Sequence, residues 1–210
     1  MRYDLLSCTF VGVWEKPFLN IQEFDRRFAL DLFGDPYSTT CGLTPEGYLI
    51  TKQFSPPPQA GVIINPGRIQ VSEKNPAELS RVLTLVMDKL RESNPSDMLH
   101  PFSSIGINSE HVWSGLPYTS LEFFQKKIAR ELPVPGSKIF PYDIRMEVEE
   151  NNFKFHLMIQ PRNGIENAVF TGVNDDRFWS EKACPSRDQF MDLFTDSISE
   201  IRRIFEEYIL

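Results

Sequence analysis

The sequence predicts an α+β protein: two similar β-α-β(2-3)-α halves forming one curved, mostly antiparallel sheet with helices on one face. Three observations predict it. Short strand-like runs come in groups separated by turn residues, and each group leads into a long amphipathic helix. The order strand, helix, strands, helix occurs twice along the 210 residues, once in 1–95 and once in 96–210. Finally, Val13-Trp14 stands the same distance ahead of a helix cap at Asn20 as Val112-Trp113 does ahead of one at Thr119.

The first strand runs from Leu5 to Trp14, with Leu6, Cys8 and Phe10 on one face and Ser7, Thr9 and Val11 on the other. Asn20 with Glu23 opens a helix whose stripe is Ile21, Phe24, Phe28, Leu32 and Phe33, and Gly34-Asp35-Pro36 stops it. A loop with Thr39, Thr40, Gly42 and Pro45 leads to a strand at Tyr48–Phe54. Ser55-Pro56-Pro57-Pro58 is a stiff connection that a sheet interior cannot hold. Gly61 to Ser72 reads as a bulged strand or as a hairpin turning at Asn65-Pro66-Gly67. Asn75, Pro76 and Glu78 then give a helix start, with a stripe of Leu79, Val82, Leu83, Val86 and Leu90.

The second half begins with a strand at Phe102–Trp113. Thr119 and Glu122 cap a helix with the stripe Leu121, Phe124, Ile128 and Leu132. Strands follow at 139–149, 153–160 and 166–173, turning at Glu150-Asn151-Asn152 and Arg162-Asn163-Gly164. A polar loop carrying Asn174, Asp175, Asp176, Arg177 and Trp179 leads to the last helix. Ser186 with Gln189 caps it. Phe190, Leu193, Phe194, Ile198, Ile201, Phe205, Tyr208 and Ile209 form its stripe, opposite Asp192, Asp196, Glu200, Arg203 and Glu207. This order resembles the duplicated saddle of the TATA-box-binding protein and related helix-on-curved-sheet folds. The resemblance concerns fold and carries no function.

Hydrophobic residues make up 41% and charged ones 24%, so a packed core is affordable; 17 phenylalanines suggest it is largely aromatic. A formal net charge of −7 argues against sequence-independent nucleic-acid binding. No signal peptide or membrane span is expected, and Cys8, Cys41 and Cys184 form no paired framework, which fits a reducing cytoplasm. Phosphate-loop, dinucleotide, zinc-protease and nucleophile-elbow motifs are missing. His100, His111 and His156 lack metal-ligand spacing. Cys184 precedes a helix start, where a thiol can be activated, but it has no partner histidine. No cofactor or metal is expected.

The candidate partner- or ligand-binding residues are Arg68, Trp113, Arg145, Glu147, Glu149 and Arg162. Arginines on a sheet face can receive carboxylate or phosphate. Glu147 and Glu149, two apart on a strand, share a face. Cross-strand pairing and edge protection are the simpler reading of the same charges, and a core anchor is the simpler reading of Trp113. These features fit a non-catalytic binding or assembly protein that engages another protein or a second copy of itself, in the manner of an immunity protein or antitoxin neutralising a basic protein. The alternative is a small apolar ligand, with or without chemistry, held between helices and sheet.

Overall fold

The computed structural model describes residues 1–17, 26–35, 37–52, 60–93, 101–124, 143–150, 153–162, 164–178 and 185–209. In chain order the elements are β1 (Arg2–Trp14), α1 (Arg26–Phe33), β2 (Thr39–Thr44), β3 (Gly47–Lys52), β4 (Ala60–Asn65), β5 (Arg68–Glu73) and α2 (Pro76–Ser93). Then come β6 (Phe102–Ser114), α3 (Ser120–Phe123), β7 (Ile144–Glu150), β8 (Phe153–Pro161), β9 (Ala168–Phe178) and α4 (Arg187–Ile204). A π-helical turn, Phe205–Ile209, continues α4. The protein is α+β. Among the described residues, nine strands form one open antiparallel sheet in the order β2-β3-β4-β5-β1-β6-β9-β8-β7. None of the described helices is long and apolar enough to cross a membrane.

The two longest strands, β1 and β6, pair at the centre, with Phe10 opposite Ile107 and Tyr3 opposite Trp113. Alternation on both strands aims one set of side chains at the helices. A register shift between Leu5 and Ser7 brings the odd-numbered Tyr3 onto the face that carries Cys8 and Phe10. Gly12 is needed at the centre, because a Cβ there would collide with the Phe102 ring that stacks on Trp14.

Local chemistry sets the helix starts. The Asn75 Oδ1 accepts from the Glu78 amide, and Thr119–Glu122 and Ser186–Gln189 both form complete capping boxes. In the β4–β5 hairpin, Asn65 Oδ1 accepts from the amides of Gly67 and Arg68, each at 2.9 Å, so the hairpin reading of that stretch holds.

Four expectations change. Thr39–Thr44, read as loop, is the edge strand β2; a two-residue turn at Pro45-Glu46 reaches Gly47 at φ 133°, and Thr40 and Thr51 hydrogen-bond across the pair at 2.8 Å. Asn174 to Arg177, also read as loop, continues β9 alongside Gly106 to Asn108 and Ile105 of β6. A fully paired neighbour overrides the weak strand propensity of an Asn-Asp run. Leu121 is 42% exposed and Phe123 is buried in its place, beside Phe124, which is buried as expected. The last stripe also contains Ser197, which is fully buried. Asn20, Ile21, Phe24, the Ser55–Pro58 connection, Ile128, Leu132, the start of the strand read at 139–149, the turn at 151–152, Trp179 and Cys184 lie outside the described residues.

All four helices bury apolar side chains on the same face of the sheet, in two clusters. The first gathers Phe10, Trp14, Ile50, Val62, Ile69 and Val71 under Leu32, Leu83, Val86, Phe190 and Phe194. The second gathers Trp113, Phe155, Leu157, Ile159 and Val169 under Phe123, Ile201, Ile204 and Phe205. Each buried large side chain contributes roughly 1.5–3 kcal/mol from leaving water. Between the clusters runs a polar seam. On β6 it is Ser109 and His111, between Ile107 and Trp113; on α4 it is Ser197, between Phe194 and Ile201.

Candidate functional site

With every described helix on one side, the other face of the sheet is open. Residues opposite one another in an antiparallel pair point the same way, so the register defines that face across its width. Ser7 and Thr9 of β1 lie beside Gln70 and Ser72 of β5 on one side and Asn108 and Glu110 of β6 on the other. Beyond β6 come Gly172 and Asn174 of β9, then His156 and Met158 of β8, then Arg145 and Glu147 of β7. The centre is therefore polar and made of short side chains.

A groove of about 370 Å³ lies over this centre, lined by Ser7, Thr9, Gln70, Asn108, Glu110, His156, Met158 and Asn174 among others. Glycine at 172 keeps its floor low next to Met158. The groove is lined mostly by side chains that both donate and accept hydrogen bonds, and one of its groups, Glu110, only accepts. Glu110 holds a carboxylate at its rim, accepting from the Ser7 hydroxyl at 2.8 Å. The Asn108 side-chain oxygen is shielded from water and makes no hydrogen bond. Leaving such an acceptor unpaired costs about 1–3 kcal/mol. A second groove, about 530 Å³, continues over Arg145, Glu147, His156 and Met158.

The structure brings three of the six sequence candidates together. Arg145, Glu147 and Glu149 stand on β7, all exposed. Lys154 Nζ lies 2.8 Å from Glu147, and His156 Nδ1 is 3.7 Å away. The Lys154 hydrogen bond holds the Glu147 carboxyl below the usual carboxylate range, so it stays ionised near neutrality. Arg145 reaches back to Asp143 at 3.2 Å. Arg68 shares the open face but sits on β5, five strand spacings from β7, or about 24 Å. Arg162 is exposed in the turn after β8, where its amide donates to the Ala168 carbonyl. Trp113 lies on the helix face, fully buried, stacked 4.3 Å from Phe205, with Nε1 donating to the Thr171 hydroxyl.

Three titratable groups on the helix face are withdrawn from water rather than reactive. His111 is fully buried in the seam, with Nδ1 2.9 Å from the Tyr3 hydroxyl and Nε2 2.8 Å from Ser109 Oγ. Burial pushes its pKa down to about 4, so the ring is neutral at physiological pH. Burial pushes Tyr3 up to about 12, against the opposing pull of the Arg202 guanidinium over its ring. Neither group is poised for proton transfer near pH 7. Burial and the nearby Glu73 push the Cys8 thiol up to about 12, which keeps it protonated and unreactive. Among the described residues no group of three His, Cys, Asp or Glu side chains could hold a metal ion.

Sequence reasoning missed Asn108, Glu110, Gln70 and Asn174. Their only signal is the polar half of the alternation along Phe102–Ser114, which is also what a merely solvated sheet face displays. No protein-family model matches the chain, and no curated protein matches it either.

Proposed function

We propose that the protein is a non-catalytic binding module whose open sheet face engages a basic macromolecular partner. The observation that carries this reading is the Asn108 side-chain oxygen, held without a donor on the wall of a polar groove beside the Glu110 carboxylate. A lysine or arginine side chain from a partner would supply the missing donors and meet the carboxylate. The net charge of −7 favours encounter with a basic protein. The unreactive Cys8 and the buried, neutral His111 give the reading further support.

The test is capture of the partner from native lysate on the tagged protein at moderate salt, with a small-molecule screen of the eluate. One basic protein at stoichiometric amount is expected. Glu110→Lys should abolish its capture. Asn108→Ala should weaken capture at least about tenfold while raising the stability of the free protein by up to about 1 kcal/mol, since it removes an unpaired acceptor. Capture undiminished by both variants, or a bound small molecule with no protein, would end this reading.

The element order also supports reading the halves as duplicates. Outward from the centre, β1, β5, β4 and β3 match β6, β9, β8 and β7, and each half finishes in a long helix. A crystal structure would test this by superposition: the two sets should coincide after a half-turn about an axis between β1 and β6.

A further inference from the structure

The geometry points to β7 as a self-pairing edge: we propose that a second copy of this chain joins it antiparallel, making one sheet of two molecules. This stands apart from the groove reading, since it concerns the strand edge and not the face over β1 and β6. β7 is the last strand of the described sheet at that end. An edge strand offers a row of backbone donors and acceptors to any passing strand. On β7 the side chains alternate: Ile144, Met146 and Val148 point toward the helix face and are only half-buried, while Arg145, Glu147 and Glu149 stand exposed on the open face.

That charge pattern is self-complementary in one register. A two-fold pair centred on Glu147 sets Arg145 of each copy opposite Glu149 of the other, and Met146 opposite Val148. Glu147 then meets its own equivalent, but each brings Lys154 at 2.8 Å and His156 at 3.7 Å to the centre. Other registers are worse. Centring on Met146 sets Arg145 opposite Glu147 twice but cancels that gain by opposing Asp143 to Glu149 twice, and centring on Val148 opposes Glu147 to Glu149 twice with no attractive pair; like charges directly opposite are destabilising. The alternation therefore favours one register of β7 with its own copy over the neighbouring ones. The opposite edge has no such code, because Thr39–Thr44 carries no charge.

Sedimentation of the purified protein over a range of concentrations tests the proposal. A reversible equilibrium between the 24.3 kDa monomer and a dimer is expected. Arg145→Glu and Glu149→Arg should each weaken the dimer at least about tenfold, since each turns two attractive cross-strand pairs into repulsive ones. Mixed together, the two variants should form a heterodimer, because one then offers two acids and the other two arginines. The double variant R145E/E149R should restore the homodimer. A monomer at every concentration overturns the proposal, as does a dimer indifferent to both reversals or a mixture that fails to pair. Rescue by mixing could not come from a misfolded variant.

Discussion

The two apolar clusters share one sheet and one long helix, yet they are built differently. The first is roofed by α1, α2 and the first turns of α4, and its contacts are mostly aliphatic packing, with edge-on rings such as Phe10 against Phe190 at 4.6 Å and one stack, Phe102 on Trp14, at the end of β1. The second lies under α3, the end of α4 and the π-turn. Its centre is a stack, Trp113 on Phe205 at 4.3 Å, with Tyr3 tilted against Trp113 at 4.8 Å. Its rim residues Ile144, Met146 and Val148 are only half-buried. The first cluster draws stability from apolar area; the second leans on a few rings held by hydrogen bonds from Trp113 and Tyr3. Ser109, His111 and Ser197 keep them apart, so α4 crosses from one apolar surface to another over a polar gap.

Removing one ring from each cluster gives the largest expected effects. Trp113→Ala and Phe10→Ala should each cost about 3–5 kcal/mol in denaturant unfolding, the usual range for emptying a buried aromatic site. Hydrogen exchange separates the clusters. Trp113→Ala should speed amide exchange in β7, β8 and β9 and leave β3, β4 and β5 protected; Phe10→Ala should do the reverse. Uniform loss of protection in both variants would mean that the seam is no boundary and that the core is one cooperative unit.

The seam also explains what the sequence could and could not reveal. Helices α2 and α4 were legible, because Asn75, Ser186 and Gln189 are local capping signals and the stripes are long. Strands β1 and β6 were legible from alternation. Strand β2 was not: six residues of Thr, Cys, Gly and Leu carry almost no pattern, and only pairing with β3 makes them a strand. The Asn174–Arg177 run was hidden for the same reason, since β6 supplies its reason to be extended. Glu147 and Glu149 were placed together because a strand fixes their spacing. That Arg68 stands far from them depends on strand order, which no local pattern encodes. Ser197 was invisible as a seam residue because a serine within an apolar stripe looks like an interruption, and only β6 shows the matching one.

Acid should act on the seam, through His111. In the folded protein His111 titrates at about 4, below its ordinary value of 6.5, because burial disfavours the imidazolium. Between those values the unfolded chain takes up a proton that the folded one refuses. Stability from this residue is therefore complete above pH 6.5, falls as pH drops toward 4, and changes no further below that. The depression corresponds to about 3 kcal/mol. The partners that face the ring, Tyr3 and Ser109, stay protonated and uncharged across this window, so they do not offset the loss. Unfolding midpoints measured from pH 7 to pH 4 should show the decline, and His111→Gln should flatten it. A slope unchanged in that variant would assign the acid sensitivity to carboxylates elsewhere.

The smallest expected effect comes from Ser197, and its sign says the most about the seam. The hydroxyl is fully buried and makes no hydrogen bond, so in the free protein it is a desolvated polar group with nothing in return. Ser197→Ala removes it with little change in volume and also improves helix propensity, for a gain of up to about 1 kcal/mol. Ser197→Leu would instead join the two apolar stripes of α4, but position 197 is already fully buried, and overpacking a closed site costs about 1–3 kcal/mol. The pair of variants separates two accounts of the gap. A seam that merely reserves room for the His111 and Ser109 side chains requires alanine to be tolerated and leucine to be costly. If alanine were destabilising by more than about 1 kcal/mol, the hydroxyl would have to hydrogen-bond within the seam in solution, and the polar line would then be a network that fixes where α4 sits along the sheet.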